Sequence, residues 1–324
     1  MVVRVGELHP RNSEILLKAA LKAATATESS ISVSWIHVSS VVLPRQHLPF
    51  RDNPSMVPYC DHRKEQPSSK REPDDREAVF KAIMDADTII IASPVYSHQP
   101  AGTLKALVDA ILGPSADVSM AYYLKRRQEN GDEPVKDLKV DPRDFKPSVA
   151  GFISVAGLAY TPSILVWLIK FVLAGYTSPG AVLADSGTAL GRAELLGRRV
   201  ASQLGKPCDE AQYLGPDESG SCPYCHLLKI ELCEANNVVC TVCGANGILE
   251  LGPEGNIRPK LEEDPTVGSQ TLKGKLQHRY EIRDKMSLEQ PKLGYISSAF
   301  FKWKSLELPR VLLPSFQESI IGRL

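Results

Sequence analysis

The chain has 324 residues, and its 38 Lys and Arg residues balance 38 Asp and Glu residues, so its formal net charge is zero. An apolar fraction of 43% is typical of a globular protein, and the balanced charge excludes a strongly basic nucleic-acid-binding protein. At roughly 150 residues per domain, the length predicts about two domains. The chain has 7 cysteines, and two tight cysteine pairs among them indicate metal or redox chemistry in a reducing compartment.

The sequence contains no segment that we expect to cross a membrane or to direct secretion. The longest apolar run, near residues 163–174, is interrupted by Lys170 and is shorter than the roughly 20 residues that a bilayer requires. The N-terminus lacks a long apolar region and a cleavage site of small residues. We therefore predict a cytoplasmic protein that does not bind membranes.

Strand-like and helix-like segments alternate over the first two hundred residues. The predicted strands are 2–5, 31–42, 87–92, 149–155 and 180–184, and the predicted helices are 14–25, 76–86, 101–112, 162–173 and 192–204. This alternation, with apolar central strands, predicts an α/β protein with a doubly wound parallel sheet of five strands in the flavodoxin-like order. We assign residues 1–207 to this domain, with a polar insertion at about 117–147.

Two loops that follow predicted strands carry polar and aromatic residues. In the first, Arg11 lies beside Asn12 and Ser13 at the start of a helix, which predicts a phosphate site, with an ordinary capped helix as the alternative. In the second, Tyr96 and His98 follow the third predicted strand. Because ligands of open α/β sheets bind at the carboxyl ends of the strands, a planar aromatic cofactor is expected there.

The segment Asp85-Ala-Asp-Thr-Ile-Ile-Ile-Ala-Ser-Pro-Val-Tyr96, followed by Leu104-Lys105, resembles the NADPH-dependent FMN reductase family. The likeness is strongest to the branch that includes the iron–sulfur flavoproteins, and the first loop, His9-Pro-Arg-Asn-Ser13, resembles the Ser-Pro-Arg loop of that family. The resemblance covers roughly residues 1–207. It implies an enzyme that uses NAD(P)H to reduce FMN, a flavodoxin-like fold and a homodimer.

The resemblance also implies where FMN would bind. The phosphate would lie at residues 9–13, the flavin ring against residues 93–98, and a loop beginning at Ala156 would close the far side. The implied cofactor-binding residues are His9, Arg11, Asn12, Ser13, Ser93, Pro94, Val95, Tyr96, Ser97, Ala156 and Gly157. We take His98 as the candidate proton donor to the substrate and Tyr96 as its catalytic neighbour, with an ordinary surface histidine as the alternative.

The sequence departs from the family pattern at three positions. His9 stands where the family usually has Ser, and Ala110 stands where Arg is common. Cys60 alone remains where the iron–sulfur branch has a cysteine cluster, so we expect no four-iron cluster there. Cys60 and His62 are either a thiolate pair or metal ligands, or they are ordinary loop residues.

Two Cys-x-x-Cys pairs mark a second module within residues 208–324. They are Cys222 with Cys225 and Cys240 with Cys243, and a predicted hairpin follows at 248–257. Four thiolates at this spacing predict a tetrahedral zinc site in a zinc-ribbon-like module. The alternatives are a rubredoxin-like iron site, a c-type haem attached at Cys222-Pro-Tyr-Cys-His226, and a pair of redox disulfides.

These features together predict an FMN-dependent oxidoreductase. NAD(P)H would reduce the flavin, which would pass electrons to a small conjugated acceptor such as a quinone, a nitro compound or a secondary metabolite. The alternatives are an electron-transfer flavoprotein with a four-cysteine iron site and a non-enzymatic scaffold with a zinc ribbon. No nucleic-acid partner is expected, because residues 208–260 have no dense basic run with interleaved aromatic residues.

Overall fold

A computed structural model describes most of the chain. The described residues are 2–4, 12–43, 74–96, 99–111, 118–132, 140–156, 172–174, 176, 178–207, 210–215, 218–252, 255–264, 266 and 271–304. The chain forms two compact units, residues 1–276 and residues 277–324. The predicted boundary after residue 207 falls inside the first of these units and stays a prediction.

Residues 2–201 contain a mainly parallel sheet with helices between its strands. Its strands are β1 (Val2–Arg4), β2 (Trp35–His37), β3 (Thr88–Tyr96), β4 (Gln99–Pro100), β5 (Val149–Ala156) and β6 (Val172–Ala174). Its helices are α1 (Asn12–Thr27), α2 (Arg76–Asp85), α3 (Gly102–Ile111), α4 (Val118–Glu129) and α5 (Gly191–Ala201). The strands lie in the order β2-β1-β3-β5-β6 with parallel neighbours, and β4 pairs antiparallel with the end of β3. This is the flavodoxin-like order.

Both faces of β3 are covered by helices. Ile90 and Ala92 are buried in a core with α1 and α5, whereas Ile89 and Ile91 pack into a second core with α2 and α3. Alternate residues of a strand point to opposite faces, so a strand covered on both faces is apolar at successive positions. This continuous apolar run is the sequence pattern that predicted β3.

Helices α1 and α5 approach each other most closely at Gly197. A Cβ atom at this position would overlap the backbone carbonyl of Ala20, so only glycine fits the observed spacing. Small residues at a helix crossing allow the two backbones to come this close, and Ala193 is fully buried on the same helix.

Two sequence predictions of secondary structure are wrong. The strand expected at 180–184 is a 3-10 turn, Ala181–Leu183, and the edge strand is instead β6. Only Trp35–His37 of the strand expected at 31–42 pairs with β1, and a 3-10 turn follows it. The insertion at 117–147 contains helix α4. Most of the helix expected at 162–173 lies outside the described residues.

The second half of the chain contains a small antiparallel sheet and two helices. The strands are β7 (Ile230–Leu232), β8 (Asn237–Cys240), β9 (Asn246–Leu251) and β10 (Ile257–Leu261), in the order β10-β9-β8-β7. The helices are α6 (Leu272–Glu289) and α7 (Leu293–Lys304). The predicted hairpin is confirmed by the antiparallel pairing of β9 with β10. Among the described residues, no helix combines the length and apolar character needed to cross a membrane.

Candidate functional site

The carboxyl edge of the parallel sheet is the first candidate site. The strand order reverses between β1 and β3, because the chain passes from β1 to β2 on one side and to β3 on the other. Helix α1 begins at Asn12, eight positions after the last residue of β1. In open α/β sheets ligands bind at this switch point, where helix N-termini offer free backbone N–H groups to anions.

The side chain of Asn12 is engaged with the backbone of a distant segment. Its amide nitrogen donates to the carbonyl oxygens of Tyr176 (3.3 Å) and Ser178 (3.0 Å), and its carbonyl oxygen accepts from the N–H of Val182 (3.4 Å). The residue is 7% exposed. Asn12 therefore ties the first turn of α1 to the segment after β6.

Ser93 is buried at the base of the loop that follows β3. Its hydroxyl donates to the carbonyl oxygen of Pro94 (2.8 Å) and accepts from the N–H of Ala101 (3.2 Å). Beyond this point Val95 pairs with Pro100 in the short β3–β4 hairpin. The Ser93 hydroxyl thus fixes both ends of the loop on which the resemblance places the flavin.

The predicted site residues fall into two groups. Asn12, Ser13, Ser93, Pro94, Val95, Tyr96 and Ala156 belong to elements that end or begin at the carboxyl edge of the sheet. His9, Arg11, Ser97, His98 and Gly157, together with Cys60 and His62, lie outside the described residues. The roles assigned to both groups stay predictions.

The sequence prediction missed a polar contact at this edge. The hydroxyl of Tyr176 donates to a carboxylate oxygen of Asp185, and the N–H of Tyr176 donates to the carbonyl of Ala156 (3.3 Å). The hydrogen bond lowers the pKa of Asp185 and raises that of Tyr176. Tyr176 was overlooked because the fifth strand was placed at 180–184, which put this residue before the strand instead of after it.

One buried polar atom near the same edge has no hydrogen-bond partner among the described residues. It is Oγ of Ser154, which is fully buried and paired in register with Ser93. Buried hydroxyls are normally satisfied by protein, water or a ligand. A polar ligand at the carboxyl ends of β3 and β5 is therefore compatible with the residues present.

The second candidate site is a metal centre formed by two equivalent turns. In the first, the N–H of His226 donates to the carbonyl of Cys222 (2.8 Å), and the N–H of Cys222 donates to the carbonyl of Leu227 (3.0 Å). In the second, Gly244 and Cys240 make the matching bond (2.9 Å), and Cys240 donates to Ala245 (2.7 Å). The repeated pattern means that each turn presents two thiols in the same way.

The four thiols converge on one point. Cys222, Cys225, Cys240 and Cys243 have sulfur atoms that all lie within 4.8 Å of one another. The sulfur–sulfur distances across the two turns are 3.3 Å and 3.6 Å. Four sulfurs at about 2.3 Å from a zinc ion would be roughly 3.8 Å apart, so the cage has nearly the size of a tetrahedral thiolate site.

The thiols also shift the pKa values of one another. Hydrogen bonding from Cys225 lowers the pKa of Cys222 to about 7, and bonding from Cys222 lowers the pKa of Cys240. Hydrogen bonding with Cys222 raises the pKa of Cys225 and that of Cys243. A metal ion at this point would bind the four sulfurs as thiolates in place of their protons. Cys233 is exposed and takes no part in this cluster.

His226 occupies the left-handed position of the first turn. Its φ angle is 56°, and the corresponding residue of the second turn is Gly244 with φ of 80°. Its ring stacks on Tyr213 with centroids 3.9 Å apart. Convergence of all four thiols on one point favours a single ion over a haem attached to the first pair alone.

Comparison with known proteins finds similarity to flavin-dependent reductases and to flavone-converting enzymes. Residues 1–121 match the model of a family described as NADPH-dependent FMN reductase. A flavone synthase, cfoJ of Aspergillus candidus, is 30% identical over 263 residues, which cover 76% of each chain. A solved structure of a flavone reductase has a TM-score of 0.70 at 20% identity and covers 96% of this chain and 99% of that chain. At this identity the structural likeness shows the fold.

Proposed function

Because the chain belongs to the NADPH-dependent FMN reductase family and is an FMN-dependent NAD(P)H oxidoreductase, we propose that it acts on a flavone-type conjugated ketone. The observation that carries the proposal is the relationship to the flavone synthase. The match covers 76% of the 324 residues, which is more than the 207 residues of the predicted flavin domain, so the likeness extends beyond that domain. This extent favours a shared substrate class over a shared cofactor alone.

The proposed reaction adds two electrons and two protons across the double bond of an enone. This is the reverse of the flavone formation that the relative's name denotes, and the direction is taken from NADPH as the reductant of the family. NAD(P)H and one proton are consumed, and NAD(P)⁺ and the saturated ketone are formed. A hydride is added to the carbon β to the carbonyl, and a proton is added to the α carbon. Bound FMN would supply the hydride chemistry, since flavins exchange hydride with both nicotinamides and conjugated acceptors.

The residues of this chain would bind the cofactor and supply the proton. In the proposal, the N-terminal turn of α1 holds the phosphate with backbone N–H groups, aided by His9 and Arg11. The backbone after Ser93 supports the flavin ring, and Ala156 and Gly157 close its far side. Tyr96 and His98 are the proposed groups that deliver the proton to the α carbon.

We further propose that the four cysteines bind one zinc ion with a structural role. The closed arrangement of four thiols, three of them buried, leaves no open coordination position for a substrate. Iron at the same site would make the module an electron relay. The convergence of free thiols supports a cytoplasmic protein, because such thiols persist in reducing compartments. A homodimer is the proposed assembly.

The test combines a visible spectrum with metal analysis on one purified sample. We expect a flavin spectrum, one zinc per chain and no iron. Under anaerobic conditions, NADPH should bleach the flavin and added flavone should restore its colour with formation of the saturated ketone. A colourless protein that binds no FMN would overturn the enzymatic proposal and leave a scaffold. One iron per chain would replace zinc with the electron-relay alternative.

The proton donor is tested separately with two variants. His98→Ala and Tyr96→Phe should each keep the NADPH-dependent bleaching but slow the reoxidation by substrate. Slowing of only the second half-reaction identifies a group that acts on the substrate. Unchanged reoxidation in both variants would refute the assignment.

A further inference from the structure

Two parts of the second half of the chain carry opposite charge. We call residues 218–264, which contain β7 to β10, the ribbon, and residues 272–304, which contain α6 and α7, the arm. The ribbon has 8 acidic and 3 basic residues, a net charge of −5, whereas the arm has 8 basic and 3 acidic residues, a net charge of +5. A zinc ion with four thiolates would make the ribbon more negative by two charges.

The ribbon also exposes apolar side chains at one end of its sheet. Leu251 and Ile257 are directly opposite each other in the β9–β10 register, and they are 74% and 66% exposed. We call Leu251 and Ile257 the ribbon patch.

The arm has no core of its own among its described side chains. None of residues 275–300 is buried. Leu288 is 73% exposed and Tyr295 is 77% exposed. Isolated helices of this length are marginal in water and depend on packing of an apolar face against a partner. Leu288 and Tyr295 are therefore available for contact with a partner surface.

We propose that the arm of one copy of this chain docks on the ribbon of a second copy. The two surfaces occur in equal number, each exposes large apolar side chains, and their net charges are equal and opposite. A two-fold axis would form two such contacts at once, each arm covering the ribbon patch of the other copy. The proposal specifies how the proposed homodimer is held together and does not depend on the proposed chemistry.

The charge pattern of the arm favours a protein partner over a lipid surface. Glu281, Asp284 and Glu289 are interspersed with its basic residues. Helices that lie on anionic membranes usually carry a basic polar face opposite an apolar one. The mixed charges are better suited to a folded acidic surface that also presents a few basic groups, as the ribbon does with Arg258 and Lys260.

The test uses one double variant of each surface in the full-length protein. Leu288→Asn with Tyr295→Asn alters the arm, and Leu251→Thr with Ile257→Thr alters the ribbon patch. Sedimentation velocity over a concentration series measures self-association. Each double variant alone should self-associate at least about tenfold more weakly than the unaltered chain, because truncation of central apolar contacts has effects of this size. Leu183→Asn, at a leucine that is 57% exposed outside both surfaces, is the matched control and should change nothing.

Mixing the two double variants distinguishes this interface from the alternatives. A mixed dimer keeps one intact contact, between the unaltered arm of one chain and the unaltered ribbon of the other, so mixing should restore part of the association. An arm-to-arm or ribbon-to-ribbon interface would be weakened by only one of the variants and would refute the proposal. Association should also weaken when salt is raised from 50 to 500 mM, since screening reduces attraction between exposed charges.

The remaining outcomes are equally decisive. A chain that stays monomeric at all concentrations, or whose arm binds vesicles with 30% phosphatidylserine in preference to a second copy, overturns the proposal. The metal content and the circular dichroism of each variant show whether it is folded. NADPH-dependent reduction and reoxidation of the flavin are measured in the same samples. A variant that loses self-association but keeps this activity therefore tests the interface separately from the proposed function.

Discussion

Removal of the metal should unfold the ribbon and leave the parallel sheet intact. The buried cluster of the ribbon consists of Cys222, Cys240, Cys243, Val242 and Ala245. Most of this cluster is cysteine, so the metal would be the centre of the core. Small modules with so little apolar material usually need a metal or disulfides to fold.

The size of this effect follows from comparing the buried apolar side chains of the ribbon with the free energy that the ion contributes. Val238 and Val242 are the branched apolar side chains buried in the ribbon, and each contributes about 1.5–3 kcal/mol when buried. A structural zinc ion contributes about 10–16 kcal/mol in comparable small modules. Loss of the metal therefore removes the larger share of the stabilisation. Because 1.4 kcal/mol corresponds to a factor of ten, amide exchange in β8 and β9 should accelerate by at least about 1,000-fold.

The assay is hydrogen exchange by mass spectrometry on Cys225→Ser and on the unaltered chain, with zinc measured in the same samples. Peptides from 237–251 should lose protection, whereas peptides from β3 and α5 should keep it. Cys233→Ser is the matched control, because Cys233 is exposed and lies outside the thiol cluster. Full protection of 237–251 after loss of the metal would refute the reasoning, as would equal loss of zinc from the control variant.

Three further predictions concern the parallel sheet and its helices. Gly197→Ala should lower the free energy of unfolding by about 1–3 kcal/mol, because the added carbon overlaps the backbone of α1, whereas Gly187→Ala meets open space and should be neutral in a thermal melt. Ser93→Ala should weaken FMN binding measured by fluorescence, and it should destabilise the chain by about 1–3 kcal/mol, because it leaves the N–H that precedes α3 without its acceptor. Asp74→Asn should cost about 1 kcal/mol at pH 7, since hydrogen bonding to Arg76 lowers the pKa of Asp74 below its usual value of 3.8. The depressed pKa gives stability that is present above about pH 4 and is lost as pH falls further, so the difference between variant and parent should vanish in acid melts, and a constant difference would contradict the assignment.

Local sequence patterns predicted those elements whose pattern lies within a single segment of the chain. The continuous apolar run of β3 predicted a strand covered on both faces, and the cysteine spacing predicted a four-thiol centre. Helices α2, α3 and α5 begin and end within three residues of their predicted bounds, because their apolar residues recur at helical spacing. Within the ribbon, β9 and β10 followed from two apolar runs joined by a glycine-rich turn.

The tertiary structure decided what depends on partners distant in sequence. Residues 172–174 form the edge strand because they pair with the end of β5, although a short apolar run of this kind is equally compatible with a buried helix. Asn12 resembled a helix cap, but its amide bonds to carbonyls more than 160 positions away. The hydroxyl of Ser93 likewise accepts a hydrogen bond from Ala101, across the loop that follows β3. Such contacts are chosen by the packing of whole elements, and no pattern within a single segment encodes them.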